Sequence, residues 1–163
     1  MSEYKKTTIV FPVRDNGVSL GMKRRGFGAN WWNGYGGKLA HGETYEMNAI
    51  RETEEECGLL LDATMLRHVA DLAFRFDGEL DIVSRAYIAT GFTGEPQESE
   101  EMRNPQWFPL DQLPYDTMWP GDDQWVPRAL TTTAVMGCIL DFTKDNEFKG
   151  ITHTNPELLK AYF

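Results

Sequence analysis

The chain has 163 residues, one domain's worth, and 41% of them are hydrophobic, enough for a sizeable core without disulfides. A formal net charge of −9 argues against a nucleic-acid duplex or an anionic membrane as main partner, although a bound metal can invert the local field for a nucleotide. Cys57 and Cys138 form no CxxC pair, the apolar run in MSEYKKTTIVFPV is too short for a signal sequence, and no stretch approaches a membrane span; a monomeric, cytoplasmic single domain over residues 1–163 is expected.

Thr7 to Val13 reads as a strand and Val18 to Arg24 as its hairpin partner across RDNG. The Gly- and aromatic-rich segment from Gly26 to Lys38 reads as a loop. A helix is expected from about Thr44 to Cys57, with Gly58 placed to stop it. HVADLAFRFDG and DIVSRAYIATGF read as two long strands joined by a turn near Gly78. EPQESEEMRNP reads as a polar loop, QWFPLDQLP as a short strand ending in a turn, and DDQWVPRALTTTAV as helical after Pro127. GCILDFT and EFKGITH form a last hairpin across KDN. Strands dominate, with one strong helix and one weaker one, so the expected class is α/β with a mixed sheet packed between helices.

The helix carries the chemistry. GGKLAHGETYEMNAIRETEEECGL holds six glutamates against Lys38 and Arg51. At about 100° per residue, Glu52, Glu55 and Glu56 share one face, with Arg51 at its edge. Ala49, Ile50, Thr53 and Cys57 fill a separate arc that can face the sheet. Like charges three and four residues apart weaken a helix, so an offsetting partner is expected. A hard cation such as Mg²⁺, which takes carboxylate oxygens together with substrate phosphates, supplies one. The plainer alternative is a solvated acidic face. His41, His68 and His153 show no metal spacing and are expected at the surface, and Cys57 is expected in the core.

These residues fit G-x5-E-x7-R-E-U-x-E-E-x-G-U, where U is aliphatic. Gly37, Glu43, Arg51, Glu52, Glu55, Glu56, Gly58 and Leu59 match, and Thr53 stands where an aliphatic residue is usual. By this long, position-specific pattern the chain resembles the Nudix hydrolase family. The resemblance implies the Nudix fold, an α/β/α sandwich with a mixed central sheet. It also implies that Glu52, Glu55 and Glu56 bind Mg²⁺ or Mn²⁺, with the Gly37 carbonyl as a further ligand, and that Arg51 and Glu43 orient the glutamates.

Beyond the box, LGMKRRGFGANWWNGYGGK, ESEEMRNPQWFPLDQLP and MWPGDDQW resemble the MutT-type branch that hydrolyses oxidised purine nucleoside triphosphates. That likeness runs to about Trp125 and is faint in the tail NPELLKAYF. It implies hydrolysis of substrates such as 8-oxo-dGTP and 2-hydroxy-dATP to the monophosphate and pyrophosphate, as a cleansing of the nucleotide pool. It implies a base pocket of Thr8, Phe27, Asn33, Phe74, Met102, Trp119 and an acidic pair, with Lys23 near phosphate or the pocket mouth and Glu101 as an additional metal-binding or catalytic carboxylate. A flat purine suits an aromatic surface such as Trp119, Phe27 or Phe74, and an amide such as Asn33 offers both donor and acceptor. Each residue also has a structural alternative: Phe27 and Phe74 as core, Trp119 as a loop anchor, Asn33 as a turn support, Asp122 as an N-cap. Gly121 departs from the branch, which has two aspartates directly after Trp-Pro. A gap-free match leaves Asp122 alone in register; a one-residue shift brings in Asp122 and Asp123, and the expectation here is that both enter the pocket. Alternative activities are hydrolysis of methylated purine triphosphates or dinucleoside polyphosphates, or a non-catalytic nucleotide-binding module.

Overall fold

The computed structural model describes residues 3–26 and 28–163. Two long strands, β1 (Lys5–Arg14) and β2 (Gly17–Lys23), form the first hairpin. Asp15 and Asn16 between them have φ of 51° and 62°, the left-handed pair a tight hairpin turn requires and that Asp and Asn tolerate. A two-residue strand, β3 (Trp32–Asn33), interrupts the expected Gly26 to Lys38 loop, and Tyr35 and Lys38 bridge to Val10 and Thr7 of β1. Helix α1 (Tyr45–Cys57) follows, then β4 (Leu60–Leu61), β5 (Leu66–Phe76), β6 (Glu79–Ala89), β7 (Phe92–Thr93) and β8 (Met102–Pro109). The four-residue helix α2 (Val126–Ala129) precedes the closing hairpin of β9 (Met136–Phe142) and β10 (Phe148–Thr154).

The main sheet runs β10-β9-β5-β6-β1-β2-β3, with β8 also paired to β2. The β1–β6 and β5–β9 pairs are parallel and the others antiparallel, so the sheet is mixed. Helix α1 covers one face through Ala49, which packs with Val10 and Tyr87. The opposite face carries the larger core of Phe11, Leu72, Ala86, Leu140 and Phe142, covered by Trp119, Trp125 and α2. No described helix is long and apolar enough to cross a membrane.

Both ends of α1 lie where the sequence placed them. The Thr44 hydroxyl accepts from the Met47 N–H, and Gly58, at φ 80°, caps the end by donating to the Glu54 carbonyl. Thr53 is fully buried, and its hydroxyl donates to the Ala49 carbonyl at 2.7 Å, so the polar atom at this usually aliphatic position is satisfied within the helix. Two boundaries differ from expectation. β8 begins at Met102, inside the stretch read as polar loop, because Met102 is a buried anchor while Glu95, Glu98 and Glu100 before it are exposed. The second helix ends at Ala129. The following threonines bond back to carbonyls, Thr131 Oγ1 to Pro127 and Arg128, which ends the helix rather than continuing it. His68 is half-buried rather than at the surface, with Nε2 2.8 Å from Asp71 Oδ1.

Candidate active site

Three consecutive backbone contacts hold the segment before α1 against β1. Tyr35 and Val10 exchange backbone bonds, Thr8 N–H donates to the Gly37 carbonyl, and Leu39 N–H donates to the Lys6 carbonyl. Gly36 and Gly37 permit this approach. A Cβ on Gly36 would sit 2.0 Å from the Thr8 carbonyl oxygen, and one on Gly37 would sit 2.5 Å from the Glu52 carboxyl carbon. The glycines therefore seat the loop on the strand and leave room for the Glu52 head.

The six glutamates separate by environment. Glu43 serves as a structural hub: it accepts from Arg51 at 2.7 Å and 3.0 Å, from Ala40 N–H at 2.8 Å and from the Asn48 amide at 3.0 Å. The Arg51 bonds above all hold its carboxyl down at about 2. Asn48 in turn accepts from the Thr8 hydroxyl at 2.5 Å and donates to the Lys38 carbonyl, which locks α1, β1 and the glycine loop together. Arg51 also pairs with Glu52 and Glu55, each at 3.0 Å. Glu55 is exposed, Glu52 half-buried and Glu56 buried at 4% exposure. Burial raises the Glu56 carboxyl to about 8, against the opposing Gly36 N–H bond of 2.6 Å and the Lys23 charge; Glu52 and Glu101 push the same way as burial. Burial likewise raises Glu52, with Arg51 opposing.

Such carboxyls suit a hard cation. The donors are oxygens, burial raises the carboxyls of Glu52 and Glu56, and a nearby divalent charge would offset that cost. Among the described residues no three His, Cys, Asp or Glu side chains already converge as a ready metal cage. Arg51 pairs with Glu52 and Glu55, while Glu56 is held by the Gly36 N–H.

Glu56 lies at one end of a cavity of about 600 Å³. Of the residues singled out in the sequence, Thr8, Lys23, Asn33, Gly37, Phe74, Glu101, Met102, Trp119 and Asp122 also line it; Phe27 lies outside the described residues. Leu72, Phe74, Ile82 and Ser84 form the sheet-side floor, and Trp119, Asp122 and Trp125 stand on the segment covering it. Trp119 is 8% exposed and packs against Trp31 and Phe142, with ring centroids 6.2 Å and 5.6 Å apart. Asn33 donates its amide to the Trp31 carbonyl at 2.9 Å, so it supports the loop as well as facing the cavity. Glu101 is paired with Arg25 at 3.1 Å. Leu72, Ile82 and Ser84 did not figure in the sequence reading; the strand alternation in DLAF and DIVS was the available signal.

The acidic pair divides. Asp122 is buried and lines the cavity, while Asp123 is exposed and does not. Both belong to a 3₁₀ turn, Asp122–Gln124, in which successive residues point about 120° apart, so neighbours cannot share one face. The expectation that both enter the pocket is thus corrected to Asp122 alone, the gap-free register. Asp122 Oδ1 accepts from Trp125 Nε1 at 3.0 Å, and burial raises its carboxyl to about 7 despite that bond. Gly121 enforces the arrangement. It has φ of 97°, and a Cβ there would meet Phe148 Cε2 at 2.9 Å. Gly121→Asp is expected to lower stability by about 1–3 kcal/mol, through left-handed strain and overpacking, in chemical denaturation. An unchanged midpoint would show that this turn can accept a side chain.

The fold and this site define a family. A NUDIX domain model matches residues 3–129, and the chain belongs to the Nudix family, whose members typically depend on a divalent metal. It is 44% identical over 134 residues to the oxidized purine nucleoside triphosphate hydrolase of Danio rerio, covering 82% of this chain and 84% of that one. Against the protein of the same name from Mus musculus it is 46% identical over 131 residues, covering 80% and 82%. Among solved structures, a MutT protein from Bacillus halodurans superposes with a TM-score of 0.78 at 22% identity, over 91% of this chain and 97% of that one, a likeness of fold. A MutT NUDIX hydrolase from Burkholderia pseudomallei gives 0.63 at 30% identity, over 69% and 88%.

Proposed function

We propose that the protein hydrolyses oxidised purine nucleoside triphosphates, such as 8-oxo-dGTP and 2-hydroxy-dATP, to the monophosphate and pyrophosphate. The observation that carries this reading is one continuous cavity. Its lining combines the apolar side chains Leu72, Phe74, Ile82 and Trp119 with the buried Glu56 carboxyl and Lys23. A purine fits the first part and a polyphosphate the second. The relatives named for oxidised purine triphosphate hydrolysis support the same substrate class.

Glu52, Glu55, Glu56 and Glu101, with the Gly37 carbonyl, would hold Mg²⁺ or Mn²⁺. When bound, such an ion neutralises phosphate oxygens and lowers the pKa of a coordinated water. The chain's own part is positional. Glu43 and Arg51 fix the orientation of the acidic face, Lys23 offers charge to the phosphates, Trp119 and Phe74 sandwich the base, and Asp122 meets its polar edge.

The test is a screen of 8-oxo-dGTP, 2-hydroxy-dATP, dGTP, dATP, a methylated purine triphosphate and a dinucleoside polyphosphate, with products identified. The oxidised purines should give the highest kcat/KM, and the products should be monophosphate and pyrophosphate. Highest turnover on a methylated purine or a dinucleoside polyphosphate would replace the substrate assignment, and binding without turnover would make the protein a nucleotide-binding module. Excess chelator should abolish activity while leaving the thermal unfolding transition in place, because the apolar core closes without a metal. Full activity in chelator would contradict the metal-dependent reaction, and unfolding on chelation would make the ion structural.

A further inference from the structure

Three hydroxyls stand on the cavity wall, and they differ in whether the protein already uses them. Thr7 Oγ1 donates to the Val83 carbonyl at 3.1 Å. Thr8 Oγ1 donates to Asn48 Oδ1 at 2.5 Å. Ser84 is 5% exposed, lines the cavity, and its side chain makes no hydrogen bond among the described residues. Its position explains this. Ser84 lies on β6 between Thr7 of β1 and Leu72 of β5, and it shares its sheet face with Ile82 two residues away. Phe74 pairs with Ile82. On one side β5 supplies only Leu72 and Phe74, and on the other the Thr7 hydroxyl of β1 is already committed to the Val83 carbonyl, so neither neighbouring strand gives Ser84 a hydrogen-bond partner.

A hydroxyl in such a place costs free energy unless something pairs with it. Leu, Val or Ala would fill the floor of a purely apolar pocket at no such cost. Resting on the oxidised-purine reading above, we propose that Ser84 is a specificity-determining residue whose hydroxyl bonds the polar group that oxidation adds to the purine ring. The chemistry suits the role. A serine hydroxyl both donates and accepts, so it serves a keto oxygen or the ring N–H beside it. A normal purine presents a C–H at the same point. Its binding expels water from Ser84 and leaves the hydroxyl unpaired, which penalises the unoxidised base as well as rewarding the oxidised one. Asp122 cannot supply this discrimination alone, because one of its oxygens is committed to Trp125 Nε1 and the other meets an edge that a base and its oxidised form can share.

The experiment measures kcat and KM for 8-oxo-dGTP, dGTP, 2-hydroxy-dATP and dATP in the wild type and in Ser84→Ala and Ser84→Thr, with thermal melts of each. In Ser84→Ala, kcat/KM should fall about tenfold for at least one oxidised substrate, mainly through KM, and stay level or rise for its parent base. The oxidised-to-parent ratio should therefore collapse for that pair. Ser84→Thr, which keeps the hydroxyl, should retain more of the ratio than Ser84→Ala. A ratio unchanged within about twofold in Ser84→Ala, or an equal fall on all four substrates, overturns the role of Ser84 while leaving the proposed function intact. A wild type that shows no preference for the oxidised member of either pair overturns both.

Discussion

Glu56→Gln should reduce kcat by about 10²–10³-fold or more at saturating Mg²⁺, while the protein remains as stable as the wild type. The two halves of this expectation come from the same environment. Glu56 is buried at 4% exposure with Oε1 held by the Gly36 N–H, and burial raises its carboxyl to about 8. Near neutral pH without a metal, the side chain is therefore mostly uncharged, and glutamine is close to it in shape and polarity. The glutamine carbonyl can keep the Gly36 bond, so the fold loses nothing. What glutamine cannot do is ionise beside a cation and phosphates. The function needs the charged form that burial disfavours, and a bound cation would offset that cost. Turnover and melting temperature measured on the same sample separate the two effects. Near-normal turnover in a folded Glu56→Gln would remove the carboxyl from the reaction.

The parts of the molecule that were legible in the sequence are those set by local geometry. The box residues are spaced by helix periodicity, so Thr44 and Gly58 marked both ends of α1, whereas the close approach of Gly37 to Glu52 depends on the loop lying against β1. The hairpin across RDNG was legible for the same reason, since Asp15 and Asn16 carry the turn conformation themselves. The pocket was legible in part. Trp119, Phe74 and Asn33 face the cavity, but the floor depends on which strands lie side by side: Ser84 is next to Leu72 and Thr7 only because β6 is between β5 and β1. Nothing local to Ser84 states that pairing. The fate of Asp123 was lost for a related reason, because adjacency in the chain places two carboxyls on one face only if the backbone is suitably turned, and a 3₁₀ turn is not.

Asp122→Asn should trade activity for stability, and pH should reveal both. The Asp122 carboxyl is 5% exposed at the cavity wall, and Asp123 on its own turn adds negative potential; burial raises the Tyr115 hydroxyl, with Asp122 and Asp123 pushing the same way. Burial lifts Asp122 from the ordinary 3.8 to about 7. Below pH 3.8 the side chain is protonated in both folded and unfolded chains, and its contribution to stability is fully present. As pH rises from there toward 7, the unfolded chain releases the proton while the folded one retains it, so stability falls through this window and levels off above it. Asparagine has no proton to release, so the advantage of Asp122→Asn in the unliganded protein should be near zero at pH 4. It should reach the order of a few kcal/mol by pH 8. Activity should move the other way. With Oδ1 still accepting from Trp125 Nε1, asparagine turns only N–H donors toward the cavity, as the protonated aspartic acid turns its O–H. Bases that offer N–H groups to this position lose their acceptor, and their kcat/KM should fall by about 10–100-fold, whereas bases that offer a ring nitrogen or keto oxygen should lose less. The wild type should show a change in preference between these two kinds of base across pH 6 to 8, and Asp122→Asn should hold one preference throughout. If the variant keeps the wild-type pH-dependent change, the titrating group that reads the base is not Asp122, and the single-carboxyl pocket enforced by Gly121 must be abandoned.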